Sequence, residues 1–178
     1  MIGVRVGQAR DATTLAVVDI ERRPYEGREE AYYLVRLLER LPAGATWPDL
    51  ARRLSTIVAG VQGRGVQPSV RADVTTAPAS IDVIRPVGPA VHGVTMASAD
   101  KARLVSRLQM LLQTGRILLP TTPDAVALAE DLRGYELTPA QAADEVAAPF
   151  AVGRHDDMIT ALGLAVEREP REKPTLVW

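Results

Sequence analysis

The feature that most constrains this chain is the order in which its strand-like and helix-like segments come. "MIGVRVGQARDATTLAVVDI" holds two short β-type runs, residues 2–7 and 13–20, joined by the polar turn "GQARDA". Two such runs in succession read as a hairpin. A third strand is expected in "EEAYYLVRLLERL", where Tyr32, Tyr33 and Val35 favour β structure, although its Leu-rich end also suits a helix. From there the pattern changes. "TWPDLARRLSTIVAGV" reads as a helix with Thr46 as N-cap and Asp49 in its first turn, lined by Leu50, Leu54, Ile57, Val58 and Val61. "PSVRADV" then reads as a strand stopping at Asp73, and "VHGVTM" as another. "ADKARLVSRLQMLLQTG" is a helix with Leu104, Val105, Leu108, Leu111 and Leu112 on one face and Gly115 at its C-terminal end. "RILLP" crosses to a helix near 123–133, and a polar, Ala-rich stretch with turn signals at Gly134 and Pro139 follows. The last strong helix begins at "HDDMITALGLAVERE". A hairpin first and strands alternating with helices later point to a mixed α/β sheet.

That pattern makes Arg5 a puzzle. Side chains alternate across a strand, so Ile2, Val4 and Val6 share one face while Gly3, Arg5 and Gly7 share the other. A first strand this apolar belongs inside a sheet, where an unpaired charge is costly. Arg5 therefore reaches solvent or meets an acid.

The totals narrow the setting. A chain of 178 residues, 47% hydrophobic and 24% charged, suits one soluble globular domain, expected over 1–168, with 169–178 as an extended tail. Cysteine is absent, which removes thiol nucleophiles, disulfides and thiolate metal sites. No basic-then-apolar leader and no run of membrane-spanning length is present, so a cytoplasmic setting is expected. A net charge of −1 argues against a simple nucleic-acid coat. Among 21 basic residues only Lys101 and Lys173 are lysines, a skew that fits a GC-rich genome.

Three acids stand where sites collect. Asp73 closes a strand, and Asp156 and Asp157 open a helix. Aspartates gathered from separate elements suit Mg²⁺ or Mn²⁺, and two such ions about 3.5–4 Å apart activate water for phosphodiester cleavage. Asp156 also fits as a plain helix cap, and Asp73 as a strand-end turn residue. His155 adjoins the pair as a further candidate ligand, while His92 stands alone. Lys101, Arg103 and Arg107 share a helix whose polar side is either solvated or phosphate-contacting. No phosphate-cradling glycine loop is present, because "GQARDATT" lacks the lysine and the spacing, so ATP hydrolysis is not supported.

Taken in order, these segments resemble the nuclease domain of the large terminase subunit, the DNA-packaging motor protein of tailed bacteriophages. "IGVRVGQARDATTLAVVDI" resembles its opening hairpin, and "VRADVTTA" its strand ending in a metal-binding aspartate. "SADKARLVSRLQMLLQTGRILLP" resembles its long helix with a following short strand, and "GRHDDMITALGLAV" its closing motif. The resemblance implies a ribonuclease-H-like mixed five-stranded sheet, first three strands antiparallel, flanked by helices. It implies a Mg²⁺- or Mn²⁺-dependent two-metal-ion endodeoxyribonuclease of phage or prophage genome packaging, acting on double-stranded DNA in the bacterial host cytoplasm. Other packaging proteins, including a separate ATPase, are its implied partners, and no membrane is.

Residue by residue, the resemblance makes Asp73 and Asp157 the catalytic metal ligands, with Asp156 assisting. Lys101, Arg103 and Arg107 become candidate DNA contacts. The family's first ligand, an aspartate in the first strand, falls on Arg5, which is therefore expected to face the acidic cluster. A guanidinium cannot ligate a cation, but it can pair bidentately with a carboxylate. Asp11, in the turn, and Asp19, at the end of the next strand, are the nearby replacement candidates, neither placed to reach the centre, and "TTAPAS" after Asp73 lacks the family's glycine-rich turn. Three readings stay open: an endonuclease with an altered ligand set, a non-catalytic DNA-binding or packaging-assembly module, and an unrelated nuclease on the same fold. The closing "HDD" helix argues against the third.

Overall fold

The structure, a computed structural model, describes residues 1–7, 12–42, 44–88, 90–134 and 156–167. Among these, β1 (Ile2–Arg5), β2 (Thr14–Tyr25) and β3 (Arg28–Arg40) come first. Next are α1 (Trp47–Gln62), β4 (Val70–Asp73), the single-turn α2 (Ser80–Ile84), β5 (Val91–Val94) and α3 (Ser98–Gln113). β6 (Ile117–Leu118), α4 (Pro123–Gly134) and α5 (Asp156–Val166) complete the series. His155, Asp11 and the expected tail lie outside the described residues.

The strands form one mixed sheet in the order β5-β4-β1-β2-β3-β6. β1, β2 and β3 are antiparallel neighbours, while β4, β5 and β6 join in parallel. The antiparallel start is as expected. Among the described residues the strands number six rather than five, because "RILLP" contributes a two-residue strand that pairs with Tyr33 and Leu34 of β3.

The hairpin of β2 and β3 is longer than its pattern suggests, at 12 and 13 residues. It turns at Glu26 and Gly27, whose φ angles of 47° and 78° are both left-handed, as a two-residue hairpin turn of the primed type requires. The Leu-rich end of β3 stays extended through a β-bulge. Val17 faces Leu37 and Val18 faces Val35, so Arg36 is the extra residue. The bulge resets the alternation and puts Val35 and Leu38 against the same core. That is why the segment lacks a clean period of two.

Two layers cover the sheet. One face, with Ile2, Val4, Leu15, Val17, Val70 and Ala72, packs on Leu50, Leu54 and Val58 of α1. The other, with Ala16, Val18, Tyr33 and Val35, packs on α3, α4 and α5. α5 is buried from Met158 to Val166 and lies directly over β1. Gly3 makes this approach possible, since a Cβ there would stand 1.9 Å from the Ala161 carbonyl oxygen. No described helix is long and apolar enough to cross a membrane.

Candidate functional site

Sheet register assembles the site. Asp73 of β4, Arg5 of β1, Thr14 of β2 and Arg40 of β3 are successive Cα partners, forming one row across four strands. In-register neighbours project to the same side, here the side covered by α5. The row ends where α5 begins, so Asp156 and Asp157 arrive above it. The Thr14 hydroxyl fixes that arrival by donating to the Asp157 carbonyl oxygen at 2.9 Å. The three acids singled out in the sequence thus gather at one end of the sheet beside β1.

Each acid already has a basic partner. Asp73 is 2% exposed, and its Oδ2 lies 3.7 Å from Arg5 Nε. Its Oδ1 accepts from the Thr75 backbone N–H at 2.9 Å and from the Thr75 hydroxyl. The Thr75 oxygen in turn accepts from the Met96 N–H at 2.8 Å, tying the ends of β4 and β5 together. Arg5 further donates to the Val6 carbonyl and lies 3.5 Å from the Thr76 hydroxyl.

Asp157 meets Arg40 bidentately: Nε donates to Oδ2 at 2.8 Å and Nη2 to Oδ1 at 2.9 Å. Two parallel charge-assisted bonds are the strongest pairing a carboxylate makes with a side chain. The bond to Asp157 also raises the Arg40 guanidinium above its ordinary value, so it is charged at every working pH. Arg40 Nη1 lies 3.8 Å from Asp124 in the first turn of α4. Asp156 lies 3.5 Å from Lys101 Nζ, and its carbonyl accepts from the Thr160 hydroxyl at 2.9 Å.

The remaining candidates separate. Arg103 is exposed on α3 and pairs with Asp100. Arg107 turns inward instead, donating to the Val166 carbonyl at 2.6 Å and the Tyr33 hydroxyl at 2.8 Å. Val166 ends α5, about 15 Å along the helix from Asp156, so Arg107 does not stand with the acids. Asp19 lies five residues along β2 from Thr14, about 17 Å away, and pairs with Arg36 at 2.8 Å. It does not replace a ligand in the row. His92 on β5 is exposed and faces Arg71 in register.

The donor set does not fit a divalent cation. Both Asp157 oxygens are bonded to Arg40, both Asp73 oxygens face internal donors or Arg5, and Arg5 stands next to Asp73 in the row. Among the described residues no group of three or more His, Cys, Asp or Glu side chains is arranged to hold a metal ion. Arg40 is the functional residue that sequence reasoning missed. Its place depends on the bulged register of β3, for which the sequence carries no local signal.

Comparison with known proteins agrees with the fold. No family model and no curated protein matches the sequence. The large terminase nuclease from thermophilic phage G20c is similar in structure, with a TM-score of 0.64 and 22% identity over 96% of this chain and 82% of that one. Thermus thermophilus RuvC aligns with a TM-score of 0.42 and 16% identity, over 93% of this chain and 90% of that one. The chain shares the fold of that terminase nuclease structure.

Proposed function

We propose that this protein is a non-cleaving relative of the terminase nuclease, a module that lies on double-stranded DNA during phage genome packaging. The Arg5–Asp73 contact carries this reading: at 3.7 Å, a guanidinium faces the second ligand position from the first. A two-metal nuclease needs carboxylates free to gather cations, which in turn draw in the phosphodiester. Here three cationic side chains, Arg5, Arg40 and Lys101, stand among four carboxylates, Asp73, Asp124, Asp156 and Asp157. Most of the charge that would repel a phosphate backbone is therefore offset without Mg²⁺ or Mn²⁺. Lys101 and Arg103, in the first turns of α3, supply the contact surface beside the acids.

In this role the protein works alongside other packaging proteins in the cytoplasm of the bacterial host. Residues 1–168 form the DNA-associated domain and 169–178 its tail.

Fluorescence anisotropy with a labelled duplex in EDTA tests the reading, with the same duplex run on a gel after incubation with Mn²⁺. Weak, sequence-independent, salt-sensitive binding and an intact duplex are expected. Cleavage in Mn²⁺ would overturn the non-catalytic half and favour an endonuclease with a recruited ligand. No binding at low salt would overturn the DNA half.

A further inference from the structure

We infer that Arg40 is a second internal counter-ion, and that Arg5 and Arg40 together hold the carboxylates and α5 where a nuclease of this fold would use cations. The inference deepens the reading above and rests on it. Among the described residues Arg5 faces Asp73. Asp157 lies beyond Thr14, at the N-terminus of α5, and its partner comes from the far side of the row. With β1 and β3 two strand spacings apart, the Cα atoms of Arg5 and Arg40 stand about 10 Å from each other across Thr14. The Arg5 guanidinium reaches Asp73, and that of Arg40 reaches Asp157.

Arg40 also does what a cation does for architecture. By bonding Asp157 and approaching Asp124 it links the first turns of α5 and α4 to the end of β3. Each helix thereby brings an acidic first-turn residue, favourable for its own dipole, to one shared positive charge. The pair is partly buried, with Arg40 29% and Asp157 18% exposed, so water screens it less than a surface bridge. Arg40 is a positioning residue for Asp157.

Two locks imply that opening one is not enough. Arg5→Asp adds a carboxylate to the row but leaves both Asp157 oxygens engaged. Arg40→Gln frees Asp157 but leaves a guanidinium at the first position. Only the double variant Arg5→Asp/Arg40→Gln presents three acids of the row and α5 to a cation without a competing guanidinium.

Thermal unfolding and calorimetric titration of the full chain with Mn²⁺ alone test this in the wild type, both single variants and the double variant. The wild type should show no Mn²⁺-dependent shift. Arg40→Gln should melt roughly 3–12 °C lower and gain nothing from Mn²⁺. Arg5→Asp should bind Mn²⁺ at least tenfold more weakly than the double variant. The double variant should melt lowest in EDTA and recover on addition of Mn²⁺, a rescue that a merely structural Arg40 would not give.

If Arg5→Asp alone binds Mn²⁺ as tightly as the double variant, Arg40 is no lock and the inference fails while the reading of Arg5 stands. A double variant that stays unfolded in Mn²⁺ also overturns it, since the cation then cannot take Arg40's place. Mn²⁺ binding by the wild type would instead strike the underlying reading of the acidic site.

Discussion

Thr75 shows how fully Asp73 is committed to the fold. One hydroxyl donates to the Asp73 carboxylate and accepts the Met96 N–H, so Thr75→Val, nearly isosteric, removes both bonds at once. It should lower stability by about 1–3 kcal/mol in urea unfolding, because a polar group is left without its partner. Arg107 makes the complementary case. Arg107→Ala should cost a similar amount, about 1–3 kcal/mol, and leave duplex affinity unchanged, since its partners are Val166 and Tyr33. A drop in affinity without a loss of stability would return Arg107 to the DNA face. At this scale the sequence was partly legible. The position of Arg5 in an apolar strand already called for either solvent or an acid, and parallel pairing with β4 brings Asp73 beside it. For Arg107 the sequence allows a solvated or a phosphate-contacting side chain, because helical periodicity gives a face and not a side chain's reach.

The elements were read where local chemistry decides them and missed where long-range pairing does. α1 begins at Thr46 with a capping box: the Thr46 N–H donates to Asp49 Oδ2 at 2.9 Å, and the Asp49 N–H to the Thr46 hydroxyl at 3.3 Å. These bonds, the Thr46 hydroxyl first, hold the Asp49 carboxyl below its ordinary value. A depressed folded value stabilises above the unfolded carboxylate's value of about 4 and is lost as pH falls through the folded one. Thr46→Ala should therefore lower the melting temperature at neutral pH, and the gap from wild type should narrow as melts are taken to pH well below about 4. Gly3 tests the packing of α5 on β1. A methyl group at 1.9 Å from a helix carbonyl forces the helix away, so Gly3→Ala should destabilise by at least about 2 kcal/mol in urea unfolding. The far half of the β2–β3 hairpin was not legible. Its turn is Glu-Gly rather than Asn-Gly or Asp-Gly, and the bulge at Arg36 breaks the alternation that marks a strand.

At the scale of the whole molecule, the sheet order and the placement of α5 bring distant acids together, as the resemblance implied, while the register supplies their cations. A net charge of −1 leaves no global attraction for DNA, so affinity has to come from a local face. Lys101→Ala combined with Arg103→Ala should weaken duplex binding at low salt and flatten its dependence on salt concentration, as fits the loss of up to two phosphate contacts. An unchanged slope would move the DNA face elsewhere. The central claim, that guanidiniums stand where cations would, is open to direct sight. A crystal of the wild-type protein soaked in Mn²⁺ and measured for anomalous scattering should show no peak between Asp73 and Asp157, with Arg5 and Arg40 still bonded to them. A strong peak there, with either guanidinium swung aside, would contradict it.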